Sequence, residues 1–133
     1  MQHLQDMLRS QPNQPEAMDT IRRCIEASFD CAQACTACAD ACLSEPMVAD
    51  LAYCIRLDLD CADLCIATGR IVSRLTKPNR SLMECALNAC ADACRACAEE
   101  CETHAGTHAH CKVCAEVCRR CEQACQDLLA TMP

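Results

Sequence analysis

Cysteine is the residue through which this chain can do chemistry, and it fills 18 of 133 positions. Its spacing is regular. Cys90, Cys94, Cys97 and Cys101 follow one another at gaps of four, three and four residues, and the same ladder runs Cys31, Cys35, Cys38, Cys42 and again Cys114, Cys118, Cys121, Cys125. A fourth copy reads Cys54, Asp58, Cys61, Cys65, with a carboxylate where a thiol is expected. Three more cysteines accompany the ladders: Cys24 one heptad before Cys31, Cys85 ahead of Cys90, and Cys111 three residues before Cys114. Thiolate is a soft ligand that selects Cu(I), Zn(II) and iron–sulfur clusters, so the chemistry on offer is binding of thiophilic metal.

Side chains three and four apart share one face of an α-helix, so each ladder places all its thiols on the seam where apolar side chains normally pack. Four such segments call for a four-helix bundle with a cysteine-lined core. The length allows one domain with four helices of about twenty residues. Two glycines and two aromatic residues, Phe29 and Tyr53, are too few for a turn-rich β fold, whereas Ala, Leu, Glu, Gln and Arg favour helix. The expected fold is all-α: an antiparallel four-helix bundle over residues 15–133, preceded by an N-terminal segment and linker, residues 1–14, with a short amphipathic helix in residues 1–10. The first long helix is expected from Pro15-Glu16 to about Leu43 and the second from about Met47 to Leu75. The third runs from near Ser81 to a C-terminal cap at Gly106, and the fourth, capped by Thr107, reaches about Leu129.

With short connections the two ends of such a bundle differ. Ile21, Ile25, Val72, Leu75, Leu82, Met83, Leu87, Leu128 and Leu129 gather as an apolar plug at one end. Met47, Leu51, Cys54, Cys101, Cys111 and the histidines 104, 108 and 110 gather at the other, which reads as a mouth. His104 and His110 prolong the sulfur face and His108 sits in the turn. The two readings are imidazole ligands that receive metal and a polar, solvated loop. Met47 fits packing better than thioether ligation, and Met1-Gln2-His3 could hold Cu(II) in a square plane, on the weak basis of one tripeptide.

The cysteines are expected to be free. The first ten residues lack the apolar core of a secretory signal, a reducing cytosol keeps thiols reduced, and helix neighbours with Cβ atoms about 5–6 Å apart are too distant for a disulfide that needs roughly 3.5–4.5 Å. Net charge is −7, which disfavours nucleic acid as a partner, and no run is long enough to span a membrane. C-x-x-C pairs such as Cys35-Thr36-Ala37-Cys38 lack the preceding strand of a thioredoxin-like redox site. There are no Glu-x-x-His pairs for a di-iron bundle, and no catalytic signature is present.

Charge balance separates the metals. Eighteen thiolates in a buried core need neutralising, and one Cu(I) per thiolate, roughly 18 ions with bridging sulfurs, does so. Isolated Zn(II)–Cys₄ sites would each retain two negative charges, and a continuous ladder does not divide into separate tetrahedra. A zinc or heavy-metal sequestering protein and a thiol redox buffer remain the alternatives.

The repeated C-x3-C-x2-C-x3-C ladders, together with the histidines at one end, resemble the cytosolic branch of the bacterial copper storage proteins over about residues 15–130. The resemblance implies a cytoplasmic bundle that folds before metal arrives, holds many Cu(I) ions on its core thiols at near one per cysteine, and forms a homotetramer. A copper chaperone or acceptor protein is the kind of partner expected beside the copper ions themselves. The expected metal ligands are all 18 cysteines with His104, His108 and His110. Asp58 departs from the ladder. As a hard oxygen donor it fits a hydrogen-bonded core group better than a ligand.

Overall fold

The runs of helix-forming residues become helices separated by turns that contain proline or, between the last two, Gly106, and the computed structural model describes residues 1–132, all but the final proline. Helix α1 covers Gln2–Arg9, α2 Met18–Leu43, α3 Ala52–Ser73, α4 Arg80–His104 and α5 Ala109–Ala130, with a single 3₁₀ turn at Val48–Leu51 before α3. Helices α2 to α5 form an antiparallel square. Each packs against its two neighbours, α2 on α3 and α5, and α4 on α3 and α5, while the diagonals are separated by the core. No helix among the described residues is long and apolar enough to cross a membrane.

The helix ends depart from the sequence expectation in informative ways. The first long helix starts at Met18 rather than Pro15-Glu16, with Asp19 in its first turn paired to Arg22 at 2.9 Å and to Arg23 at 3.2 Å. The second is not one helix from Met47, because the 3₁₀ turn after Pro46 intervenes. Asn79 caps α4, its side chain accepting from the Leu82 amide at 3.0 Å, so the helix begins at Arg80. Gly106 is not a left-handed cap. Its φ is not positive, because the turn is closed by right-handed hydrogen bonds from the Thr107 and His108 amides to the His104 carbonyl, at 3.1 and 2.9 Å. The residue before α5 is His108 rather than Thr107.

The short amphipathic helix expected in residues 1–10 is α1. It lays Leu4 and Leu8 on the bundle, where both join the hydrophobic core, and the Met1 amine binds Glu26 Oε1 at 3.1 Å. Gln14 holds the turn that follows, donating to the carbonyls of Leu8 and Gln11 at 3.0 and 2.8 Å.

Small residues set the helix spacing. Buried alanines, among them Ala27, Ala32, Ala62, Ala91, Ala98, Ala115 and Ala124, alternate with the thiols along the seams. Gly69 marks the tightest approach: a Cβ there would lie 2.9 Å from Cζ of Phe29 on α2. The expected plug is present at the end where α3 and α5 finish, with Ile21, Ile25, Val72, Leu75, Leu87 and Leu128 buried. Leu82 is a correction, since it is about half exposed. It lies in the first turn of α4.

Candidate metal centre

Because the ladders follow the helix period, the four helices deliver their thiols to one axis. Seventeen of the 18 cysteines are buried and all are free. At the plug end Cys24, Cys90, Cys121 and Cys125 lie buried beside one another. Cys65 lies 3.7 Å from Cys90 and 3.8 Å from both Cys94 and Cys61, with Cys61 a further 3.8 Å from Cys31. Cys118 stands 3.6 Å from Cys31 and 3.5 Å from Cys35, and Cys35 is 3.9 Å from Cys97. Cys114 lies 3.8 Å from Cys35 and Cys101 lies 3.6 Å from Cys54. Sulfur thus forms a continuous column from one end of the bundle to the other.

These distances admit three- or four-coordinate metal. With a metal–sulfur bond of about 2.3 Å, a sulfur triangle has edges of about 4.0 Å and a tetrahedron about 3.8 Å. Sharing is what discriminates. Compact donor sets, in which all ligand atoms lie within 4.8 Å of one another, include Cys31–Cys65–Cys94–Cys121, Cys31–Cys35–Cys61–Cys118, Cys35–Cys97–Cys114–Cys118, Cys38–Asp58–Cys101–Cys114 and Cys38–Cys42–Cys111 with His110. Cys31, Cys35, Cys38, Cys114 and Cys118 each belong to two of them. Overlapping sets suit an ion that accepts bridging thiolates and defeat partition into closed tetrahedra.

Cys85 is the exception. It is exposed on α4, because five residues before Cys90 corresponds to a rotation of about 140° from the seam. Its thiol therefore stands off the buried sulfur column.

Asp58 sits in the ladder gap with no exposed surface. Three thiols converge on its Oδ1, from Cys97 at 3.0 Å, Cys114 at 3.3 Å and Cys101 at 3.7 Å, while Oδ2 is buried without a hydrogen-bond partner. Burial pushes its carboxyl up to about 8. The hydrogen-bonded role expected for it is what the geometry provides. Nearer the mouth, burial raises the Cys42 thiol to about 11 and also raises Cys111, so proton loss there requires a cation to take the proton's place.

The histidines surround that end. His110 Nδ1 lies 3.4 Å from Cys38 Sγ and 3.6 Å from Cys111 Sγ, continuing the sulfur column with nitrogen. The His108 ring, 7% exposed, stacks on it with centroids 5.4 Å apart and planes at 25°. His104 Nε2 meets Glu100 Oε2 at 2.8 Å. Met47 is 40% exposed. At the other terminus Gln2 and His3 are helical and the Met1 amine is engaged by Glu26.

Two acidic residues at the mouth are absent from the sequence reading. Glu100 precedes His104 by four residues, an i,i+4 spacing that could have flagged it. Glu45, in the turn after α2, contacts His108 Nδ1 at 2.8 Å, and no local spacing signals that contact.

Comparison with known proteins agrees with this geometry. A family model described as copper storage protein matches residues 17–130. The chain is similar to the copper storage protein Ccsp from Streptomyces lividans loaded with 10 copper equivalents, at a TM-score of 0.93 and 56% identity over 96% of this chain and 98% of that one. It is also similar to a cytosolic copper storage protein of the same organism holding five coppers, at a TM-score of 0.83 and 61% identity over 84% and 93% of the two chains. The uncharacterized cysteine-rich protein YhjQ of Bacillus subtilis (strain 168) is 42% identical over 89 residues, which span 67% of this chain and 77% of that protein.

Proposed function

Because this chain belongs to the copper storage protein family, we propose that it stores and buffers Cu(I) in the cytosol on the thiolates of its bundle core. The observation that carries the reading is the overlap of the donor sets: Cys31, Cys35, Cys38, Cys114 and Cys118 each serve two neighbouring positions. A shared sulfur brings the metal-to-thiolate ratio toward one. At that ratio monovalent copper neutralises the buried charge, which zinc in separate tetrathiolate sites does not.

The proposed ligands are the seventeen buried cysteines, with His104, His108 and His110 as the receiving groups at the mouth. Uptake replaces each thiol proton by copper, so the protein releases protons as it fills and gains stability by linkage. The chemistry is storage, and no catalytic role is assigned. Residues 15–133 act as the storage unit, with α1 as an appended brace. Assembly as a homotetramer fits the family, and Leu59 and Ile66, exposed a heptad apart on α3, are surface that such an assembly would cover. Delivery and withdrawal would fall to a copper donor or acceptor protein docking at the mouth.

The reading is tested by retention and return. Reduced protein is loaded anaerobically with Cu(I), passed through a desalting column, and offered to a high-affinity Cu(I) chelator. Copper should travel with the protein and then be recovered by the chelator. Protein that emerges free of copper overturns the proposal.

A further inference from the structure

Glu45 stands between the two stacked histidines of the mouth. Its Oε2 lies 2.8 Å from His108 Nδ1, and its Oε1 lies 3.7 Å from His110 Nε2. That Nε2 is buried and has no hydrogen-bond partner, while the other nitrogen of the same ring faces the sulfurs of Cys38 and Cys111 at 3.4 and 3.6 Å. A carboxylate only accepts, so a ring nitrogen that bonds it must carry the hydrogen. We propose that Glu45 is the positioning residue of the copper entrance: with its carboxylate against His108 Nδ1 and facing His110 Nε2, its negative charge favours the hydrogen on both of those nitrogens, fixes both tautomers and holds the His110 Nδ1 lone pair toward the outermost thiols.

The inference rests on the copper-storage reading and deepens it. Copper that binds His110 through Nδ1 leaves the ring hydrogen on Nε2. A buried N–H without an acceptor is costly, and Oε1 of Glu45 is the carboxylate oxygen placed beside it. Such carboxylate–histidine–metal arrangements orient the ring and raise its basicity. Glu45 is also anchored independently of the rings it faces. It comes from the turn after α2, whereas both histidines sit at the start of α5, so it ties the ring positions to the helix that supplies Cys38 and Cys42.

The discriminating variant is Glu45→Gln. A carboxylate can accept from both rings, but a glutamine amide accepts with its oxygen and donates with its nitrogen, so one of the two rings must reverse its tautomer. Two readouts are taken on full-length, fully reduced protein: the ring-nitrogen chemical shifts of His108 and His110 in the metal-free state, and the rate of uptake of Cu(I) presented as a chelate complex. Glu45→Ala, which removes both acceptors without adding a donor, is measured in parallel. Glu99→Gln, an exposed neighbouring acidic residue, is the control.

The expected result is a reversed tautomer at one ring in Glu45→Gln, a mixed tautomer in Glu45→Ala, and uptake slowed about tenfold in both, at the lower end of what loss of an outer-shell partner produces. Wild-type tautomers in Glu45→Gln, or uptake as fast as in Glu99→Gln, would overturn the assignment. If Glu45→Gln loses its helical circular dichroism, Glu45→Ala decides by the same two criteria. Failure of the wild-type chain to take up Cu(I) at all would instead refute the storage reading.

Discussion

The Cys97 thiol on α4 donates to Asp58 Oδ1 on α3 across 3.0 Å, at the gap in the third helix's ladder. The carboxylate is therefore built into the sulfur column, with two further thiols on the same oxygen. Its ordinary value is 3.8, and burial lifts it to about 8 in the fold. A carboxyl raised on folding contributes stability that is fully present below the unfolded value and is lost as pH rises through the folded one. Metal-free protein should lose stability across that interval, at up to about 1.4 kcal/mol per pH unit, and Asp58→Asn should flatten the dependence. Chemical denaturation at several pH values checks this. An equal slope in Asp58→Asn would show that Asp58 is not its source.

Replacing Asp58 also separates its two possible roles in storage. Asp58→Cys should keep the fold and add metal capacity, and Asp58→Ala should hold nearly as much copper as the parent, because the neighbouring sulfurs carry the load. A clear loss of capacity in Asp58→Ala would make the carboxylate a ligand.

The asymmetry of the ends predicts the direction of loading. Copper crossing to buried thiolates meets exchangeable polar ligands at the histidine end and a plug of Ile25, Val72, Leu87 and Leu128 at the other. Changing His104, His108 and His110 together to Ala should slow both loading and chelator-driven removal in stopped-flow measurements, with final capacity set by the cysteines. Slowing from polar substitutions at Leu128 and Leu129, with none from the histidine variant, would place the entrance at the plug.

Cys85 is the one exposed thiol. Under brief native alkylation it should be labelled first, and Cys85→Ser should bind as much Cu(I) as the parent. Mass spectrometry locates the label. Loss of more than one copper in Cys85→Ser would return this residue to the storage site.

Gly69 gives a test of packing. Alanine there gains about 1 kcal/mol of helix propensity, yet its Cβ would stand 2.9 Å from the Phe29 ring, and overpacking typically costs about 1–3 kcal/mol. Gly69→Ala should lower the melting temperature of the parent and raise that of the Phe29→Ala protein. Stabilisation in both backgrounds would show that the ring yields freely.

Much of this molecule was legible because one residue type marks one helical face. Cys31 to Cys42 and its copies encode the period of the helix and the position of the seam at once, so fold and donor column emerge together. Cys85 fails by the same rule, since a gap of five turns it off the face. The Gly106 expectation failed because a string of right-handed turn hydrogen bonds, set by how α4 meets α5, left no left-handed position to fill. Glu45 lies beyond any local pattern, since its partners His108 and His110 are remote in sequence and meet it only when the bundle closes.

The shared-thiol column is tested most directly by its saturation ratio. Fully reduced protein is titrated anaerobically with Cu(I) under chelator competition, and a parallel sample with Zn(II), with metal and protein quantified in each. The expected end point is close to one Cu(I) per cysteine, roughly 17 or 18 ions by the charge-neutral count. Saturation by about four Cu(I) ions, matched by about four Zn(II) at four thiols each, would mean isolated tetrathiolate sites and contradict the column.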